Sequence, residues 1–161
     1  MGEGLALAHF LPQGREAVGA ELRYEKVDAA RRRVPALAGV VADAGLLPVR
    51  DGAAATVTCI EVLEHLGTPE RAVAELARVT QGSGGRCVVS VPWEPWFRLG
   101  NLARGKNMHR LGNDVEHVQQ FTPRRLHRLL RTRFGSVRIT RAFPWLVAIA
   151  SAPVQPLDTA G

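Results

Sequence analysis

The 161-residue chain reads as an α/β protein built on a mostly parallel sheet. Three observations carry this. Short apolar runs alternate with segments of helical period along most of the chain, the pattern of strands joined by crossover helices. The runs are barely interrupted by polar residues, as in CVVSV at 87–91, which suits strands covered on both faces. From Val40 to Leu66 two such runs each end in acid: Asp43 after the first, Glu61 and Glu64 after the second. Ligands of parallel sheets sit beyond the carboxyl ends of the strands, so Asp43 and Glu61 mark where a ligand would be held.

Each element follows from local signals. Leu5 to Leu11 has a helix-like apolar pattern that Pro12-Gln13-Gly14 stops. Glu16 to Leu22 is a strand ending in Glu21. Tyr24 to Val34 is a helix with Val27, Ala30 and Val34 near helical spacing; Arg31, Arg32 and Arg33 close it, where cations suit the helix dipole and need no ligand. Leu37 to Ala42 and Ala54 to Ile60 are the next strands. Thr68 is placed to cap a helix that Pro69 opens and that runs to about Val79. A glycine-rich turn, Gln81 to Gly85, leads into the strand Arg86 to Val91, which Pro92 ends. Trp93 to Asn113 has no clear period and reads as a long loop. Thr122 and Pro123 open a helix reaching Phe134, with Leu126, Leu129, Leu130 and Phe134 as its apolar stripe. Val137 to Phe143 and Leu146 to Ala150 flank Pro144 as a terminal hairpin. One domain over 1–150 and a loose tail over 151–161, with Pro153 and Pro156, complete the reading.

Composition narrows the function classes. Hydrophobic residues make up 46%, as in a globular protein. No apolar run approaches the roughly 18 residues that span a bilayer, and MGEGLALAHFLPQG lacks the basic start of a secretory signal, so a cytoplasmic protein without an integral membrane segment is expected. Cys59 and Cys87 stand alone in apolar runs and read as buried thiols. The net charge of +6 is carried almost wholly by arginine; without interleaved aromatics the arginines read as solvated faces, and no nucleic-acid partner is expected. His109, His117, Glu116 and Asp114 match no standard ligand spacing, so no metal is expected.

ADAGLLPVRDG followed by TCIEVLEHL resembles the class I S-adenosylmethionine-dependent methyltransferases, in particular their small-molecule branch, and the resemblance runs from Gly2 to about Ala150. It implies a Rossmann-like three-layer sandwich whose sheet is closed at one edge by an antiparallel hairpin. It also implies S-adenosyl-L-methionine as cofactor and methyl transfer to a small molecule. Glu21 would accept the ribose hydroxyls and Asp43 the adenine amino group, because a carboxylate can take two donors at once. Leu22 and Ala44 would flank the adenine, and Ile60 would touch the cofactor from the far side. Gly2 and Gly4 match the last glycines of the family's Gly-Cys-Gly-x-Gly turn. The first glycine of that pattern and the strand before it are absent from this sequence. Weak or absent cofactor binding by residues 1–161 is the expectation that follows.

Trp93 and Trp96 after the fifth strand of that pattern could wall an apolar acceptor or pack as a lid. His117, in NDVEHVQQFT, lies where the family builds its acceptor pocket and is read as structural there. His65 in LEHL could be a base at the transfer point or an orienting residue of the loop; the second is preferred, and no catalytic residue is assigned. Two other readings compete. A nicotinamide dehydrogenase also places an acid after its second strand, but no complete Gly-x-Gly-x-x-Gly is present. A degenerate, non-catalytic Rossmann-like domain is favoured by the missing strand and opposed by the intact Glu21, Asp43 and Ile60 positions.

Overall fold

The computed structural model describes residues 2, 4, 8–9, 16–82, 84–94, 96–97, 102 and 118–154. The chain forms two compact units, Met1–Pro48 and Val49–Gly161.

The first unit is a βαβ element. Strand β1 (Ala17–Glu21) leads into helix α1 (Tyr24–Arg33), which returns the chain to β2 (Leu37–Val41). β1 and β2 pair in parallel register from Ala17 opposite Leu37 to Glu21 opposite Val41. Val27 and Ala30 of α1 are buried, and Ala30, Val34 and Leu37 form a core cluster with Ala17 against it. Gly39 explains how closely the helix sits: a Cβ there would come within 2.9 Å of Val27 Cγ1. The arginine run at the helix end is held locally, as its position predicts. Arg31 donates to the Gly39 carbonyl at 2.6 Å, and Arg32 pairs with Asp28 one turn earlier.

The second unit is a four-stranded sheet in the order β3-β4-β6-β5, made of β3 (Thr56–Ile60), β4 (Arg86–Pro92), β5 (Phe134–Ala142) and β6 (Trp145–Pro153). β3 and β4 are parallel, joined by α2 (Pro69–Val79). β6 runs antiparallel to both β4 and β5, so a terminal hairpin closes this edge. Alternation divides the sheet. Cys87, Val89, Val91, Leu146, Ala148 and Ala150 are buried on one face, and Thr56, Thr58, Arg86 and Ile149 are exposed on the other. Helix α3 (Pro123–Arg131) adds Leu126, Leu129 and Leu130 to the unit's buried core. The cysteines are buried thiols; burial, with Glu64 adding to it, pushes Cys59 up to about 12.

Three local expectations change. Phe134 is fully buried, but as the first residue of β5 and not the last of the helix. The helix ends at Arg131, Thr132 donates its hydroxyl to the Leu129 carbonyl, and Gly135 then suits the extended chain beside Ala152. An apolar residue four places after Leu130 satisfies either pattern, which is why the period misleads here. β6 continues past Ala150, with Ser151 opposite Arg86 and Pro153 opposite Phe134. A strand end tolerates that proline. Thr68 occupies the position before α2 without a side-chain capping bond, whereas Thr122 does cap α3, accepting from Arg125 N at 3.2 Å. Most of the helix expected over 5–11, most of the loop over 93–113 and the tail after Val154 lie outside the described residues.

Candidate cofactor site

Six of the residues expected to hold a cofactor belong to the first unit: Gly2, Gly4, Glu21, Leu22, Asp43 and Ala44. Parallel pairing puts the carboxyl ends of β1 and β2 side by side, and Ala42 N donates to the Glu21 carbonyl at 3.0 Å, tying the two ends together. Glu21 is the last residue of β1. Its Oε1 accepts from Leu22 N at 3.0 Å and Arg23 N at 3.3 Å, and its Oε2 accepts from Gly2 N at 2.9 Å. Burial raises the carboxyl's pKa, but the backbone donors of Arg23 and Gly2, together with the positive charges of the amino terminus and Lys26, outweigh it and hold the group below the usual carboxylate range. Glu21 is therefore an anion at neutral pH whose position is fixed by main chain.

Gly2 and Gly4 both have left-handed backbone, φ +56° and +76°. Gly4 is also packed: a Cβ there would lie 3.1 Å from Ala30 Cβ, so the glycine brings the N-terminal turn against α1. Asp43 lies exposed just past β2. Its Oδ1 accepts from Gly45 N at 2.7 Å, a side-chain turn that fixes the carboxylate and leaves Oδ2 without a donor among the described residues. Apolar side chains are exposed beside these acids: Leu22 at 68%, Val41 at 52% and Leu46 at 72%. An anion with an uncovered apolar flank suits a planar ligand carrying hydroxyl donors.

The remaining expected residues belong to the second unit. Ile60 ends β3, is 37% exposed and precedes Glu61, a non-glycine residue with φ +51°. Trp93 is half-buried after β4, bridges to Phe121, and carries the Arg141 guanidinium 5.4 Å from its ring centroid. Trp96 is 44% exposed and meets Trp93 edge-on at 6.2 Å. Trp93 is thus the packed member of the pair and Trp96 the open one. His65 is exposed; His109 and His117 lie outside the described residues. Among the described residues no group of three or more His, Cys, Asp or Glu could hold a metal ion.

One group escaped the sequence reading. Glu64, in the short 3-10 turn Leu63–His65, is only 1% exposed, and neither carboxyl oxygen finds a hydrogen-bond partner among the described residues. Burial lifts its pKa to about 7, against the attraction of His65. Its main-chain carbonyl accepts from both Val118 N and Gln119 N, which pins the segment before α3 to the turn after β3. In the sequence Glu64 stands with Glu61 as an acid past the second apolar run; the signal for its burial is its place in LEHL, between Leu63 and Leu66.

This βαβ unit and hairpin-edged sheet are those of a Rossmann-like class I methyltransferase. The Methyltransferase domain family matches residues 1–89, more than half of the chain, and the chain belongs to that family. It is 33% identical over 102 residues to a demethylmenaquinone methyltransferase of Beutenbergia cavernae, a match covering 61% of this chain and 42% of that protein. It is 37% identical over 87 residues to an uncharacterized 37.1 kDa transposon protein of Streptomyces fradiae, covering 52% and 25%. The matches thus span less than half the length of either relative. Among solved structures it resembles a SAM-dependent methyltransferase from Methanosarcina mazei, at TM-score 0.66 and 17% identity over 96% of this chain and 90% of that one. It also resembles the cyclase SpnF, at TM-score 0.64 and 15% identity over 96% and 73%. One fold therefore carries more than one reaction, and the site must argue the chemistry.

Proposed function

We propose that the protein transfers a methyl group from S-adenosyl-L-methionine to a small-molecule acceptor. The observation that carries this reading is the Glu21 carboxylate, ionised at the end of β1 and fixed by three backbone N–H groups with the Gly2 turn drawn onto it. The residues present fit the cofactor. Glu21 offers acceptors for vicinal hydroxyls, Asp43 offers one for an exocyclic amine, and exposed Leu22 with Ala44 flanks a base. Gly2 and Gly4 let backbone approach a ligand closely. Ile60, at the end of β3, would add a further apolar contact. When bound, the cofactor supplies an electrophilic methyl on a sulfonium.

The chain's own contribution is then to hold and align the reactants and to keep water away, because the methyl donor carries its own leaving group. Trp93 and Trp96 give an apolar, aromatic surface at the end of β4 that suits a flat acceptor. The named activity of the Beutenbergia relative points to a quinone- or phenol-like ring among the candidates. His117, which precedes α3 in the chain, would belong to the acceptor region as a structural residue. Transfer of labelled methyl from S-adenosyl-L-methionine to demethylmenaquinone and simpler hydroxylated rings tests the reading. Label in one such acceptor, lost in Glu21→Ala, is expected; label in none of them, with cofactor bound, removes the acceptor class.

A further inference from the structure

From Val118 to Val154 the chain carries seven arginines and no aspartate or glutamate, more positive charge than the net +6 of the whole molecule. This charge gathers around the edge strand β5, which pairs only with β6 among the described residues and, past its first two residues, whose carbonyls Arg131 takes, presents an open row of backbone N–H and C=O groups. Side chains alternate across that edge, and each side opens on a concave, arginine-lined surface. On one side Arg124, His127, Arg128 and Arg131 of α3 rim a groove of about 720 Å³ whose β-strand wall is Ile139. On the other, Arg138 and Arg86 flank a cavity of about 490 Å³ with Ser136 and Ser151. Arg124, Arg128 and Arg138 have no ion-pair or hydrogen-bond partner among the described residues. Arg131 instead donates to the Phe134 carbonyl, which fixes one rim at the strand's start.

From this juxtaposition we infer that the β5 edge receives an extended acidic peptide segment of a partner protein as a fifth strand. An added strand satisfies the open backbone row, and its successive side chains fall alternately into the two arginine-lined surfaces. Opposite charge on both faces would fix register and speed encounter. Charged edges also discourage indiscriminate pairing, so an acidic strand is the sequence this edge admits. A nucleic-acid duplex has no row of peptide N–H and C=O groups with which to continue the sheet. The apolar stripe of α3 is buried, so this helix turns no apolar face toward a membrane.

Fluorescence anisotropy with an extended peptide of about ten residues, mixing glutamate with valine, tests this. The same titration is run with a lysine-for-glutamate peptide, a DNA duplex and phosphatidylserine vesicles. The acidic peptide should bind, the basic one should not, and Arg124→Glu with Arg128→Glu, or Arg138→Glu alone, should each weaken binding at least tenfold with unchanged melting temperature. Amides of β5 should exchange more slowly in the complex. Tighter binding of duplex or vesicles, no binding of the acidic peptide, or peptide binding without slower exchange in β5 would each overturn the inference.

Discussion

Glu64 shows what a single buried carboxyl does to stability. Its native pKa of about 7 lies above the ordinary 4.5, so the folded protein holds this proton more tightly than the unfolded chain does. The associated stability is fully present below about pH 4.5, falls as pH rises toward 7 and stays lost above it. Over that window the loss amounts to roughly 3 kcal/mol. Chemical denaturation at pH 4 and pH 8 checks this: Glu64→Gln should lose that part of the pH dependence. A variant as pH-sensitive as its parent contradicts the assignment. Glu21 behaves oppositely, because main-chain donors favour its charged form. Replacing either acid of the proposed cofactor site, Glu21 or Asp43, should weaken cofactor binding by about 1–3 kcal/mol, since a bound donor would be left unmet. Titration calorimetry of Glu21→Ala and Asp43→Ala measures this, and unchanged affinity in both would reject their roles. The positions of Glu21 and Asp43 were legible because each follows an apolar run. The isolation of Glu64 was not, because burial of a polar side chain depends on segments distant in sequence.

At the scale of elements, most boundaries were legible from turn residues and apolar runs, within two or three positions. The exceptions occur where two patterns share the same residues, as at Phe134, or where tertiary pairing extends a strand past a proline, as at Pro153. Neither outcome is fixed locally. Nor was the role of Arg78, in the last turn of α2. Its guanidinium grips Glu75 through two bonds of 2.7 Å and reaches the Val49 carbonyl and Asp51, at 2.7 and 2.6 Å. Gly52 N in turn donates to the Arg78 carbonyl, so one residue fastens the connector before β3 to the helix after it. Partial exposure weakens the ionic part, and Arg78→Ala should lower stability by roughly 1–2 kcal/mol, read from thermal melts. Gly4→Ala belongs to the same scale. It forces a side chain onto left-handed backbone against Ala30 and should destabilise the N-terminal turn by about 1–2 kcal/mol, seen as faster amide exchange at Gly2 and Glu21.

For the molecule as a whole, the alternation of strands and helices made the fold class legible, and the terminal hairpin with it. What the sequence left open was how β1 and β3 would pair. They lie in separate sheets, β1 with β2 and β3 with β4, so each has one strand neighbour among the described residues. The proposed function divides over the two units, cofactor groups in the first and aromatic acceptor groups in the second, with Ile60 the exception. Exchanging residues 93–113 for those of another family member should therefore change which acceptor is methylated while cofactor affinity is nearly kept. Competition assays over an acceptor panel would show it, and a collapse of cofactor affinity with acceptor preference intact would contradict it. The central claim is that Glu21 and Asp43 form a cofactor site, and it can be tested even where binding is weak. Backbone amide shifts in a nuclear magnetic resonance titration with S-adenosyl-L-methionine should move at Gly2 and Gly4, at Glu21 and Leu22, and from Asp43 to Gly45. No movement at saturating cofactor, or movement confined to other residues, would contradict the account.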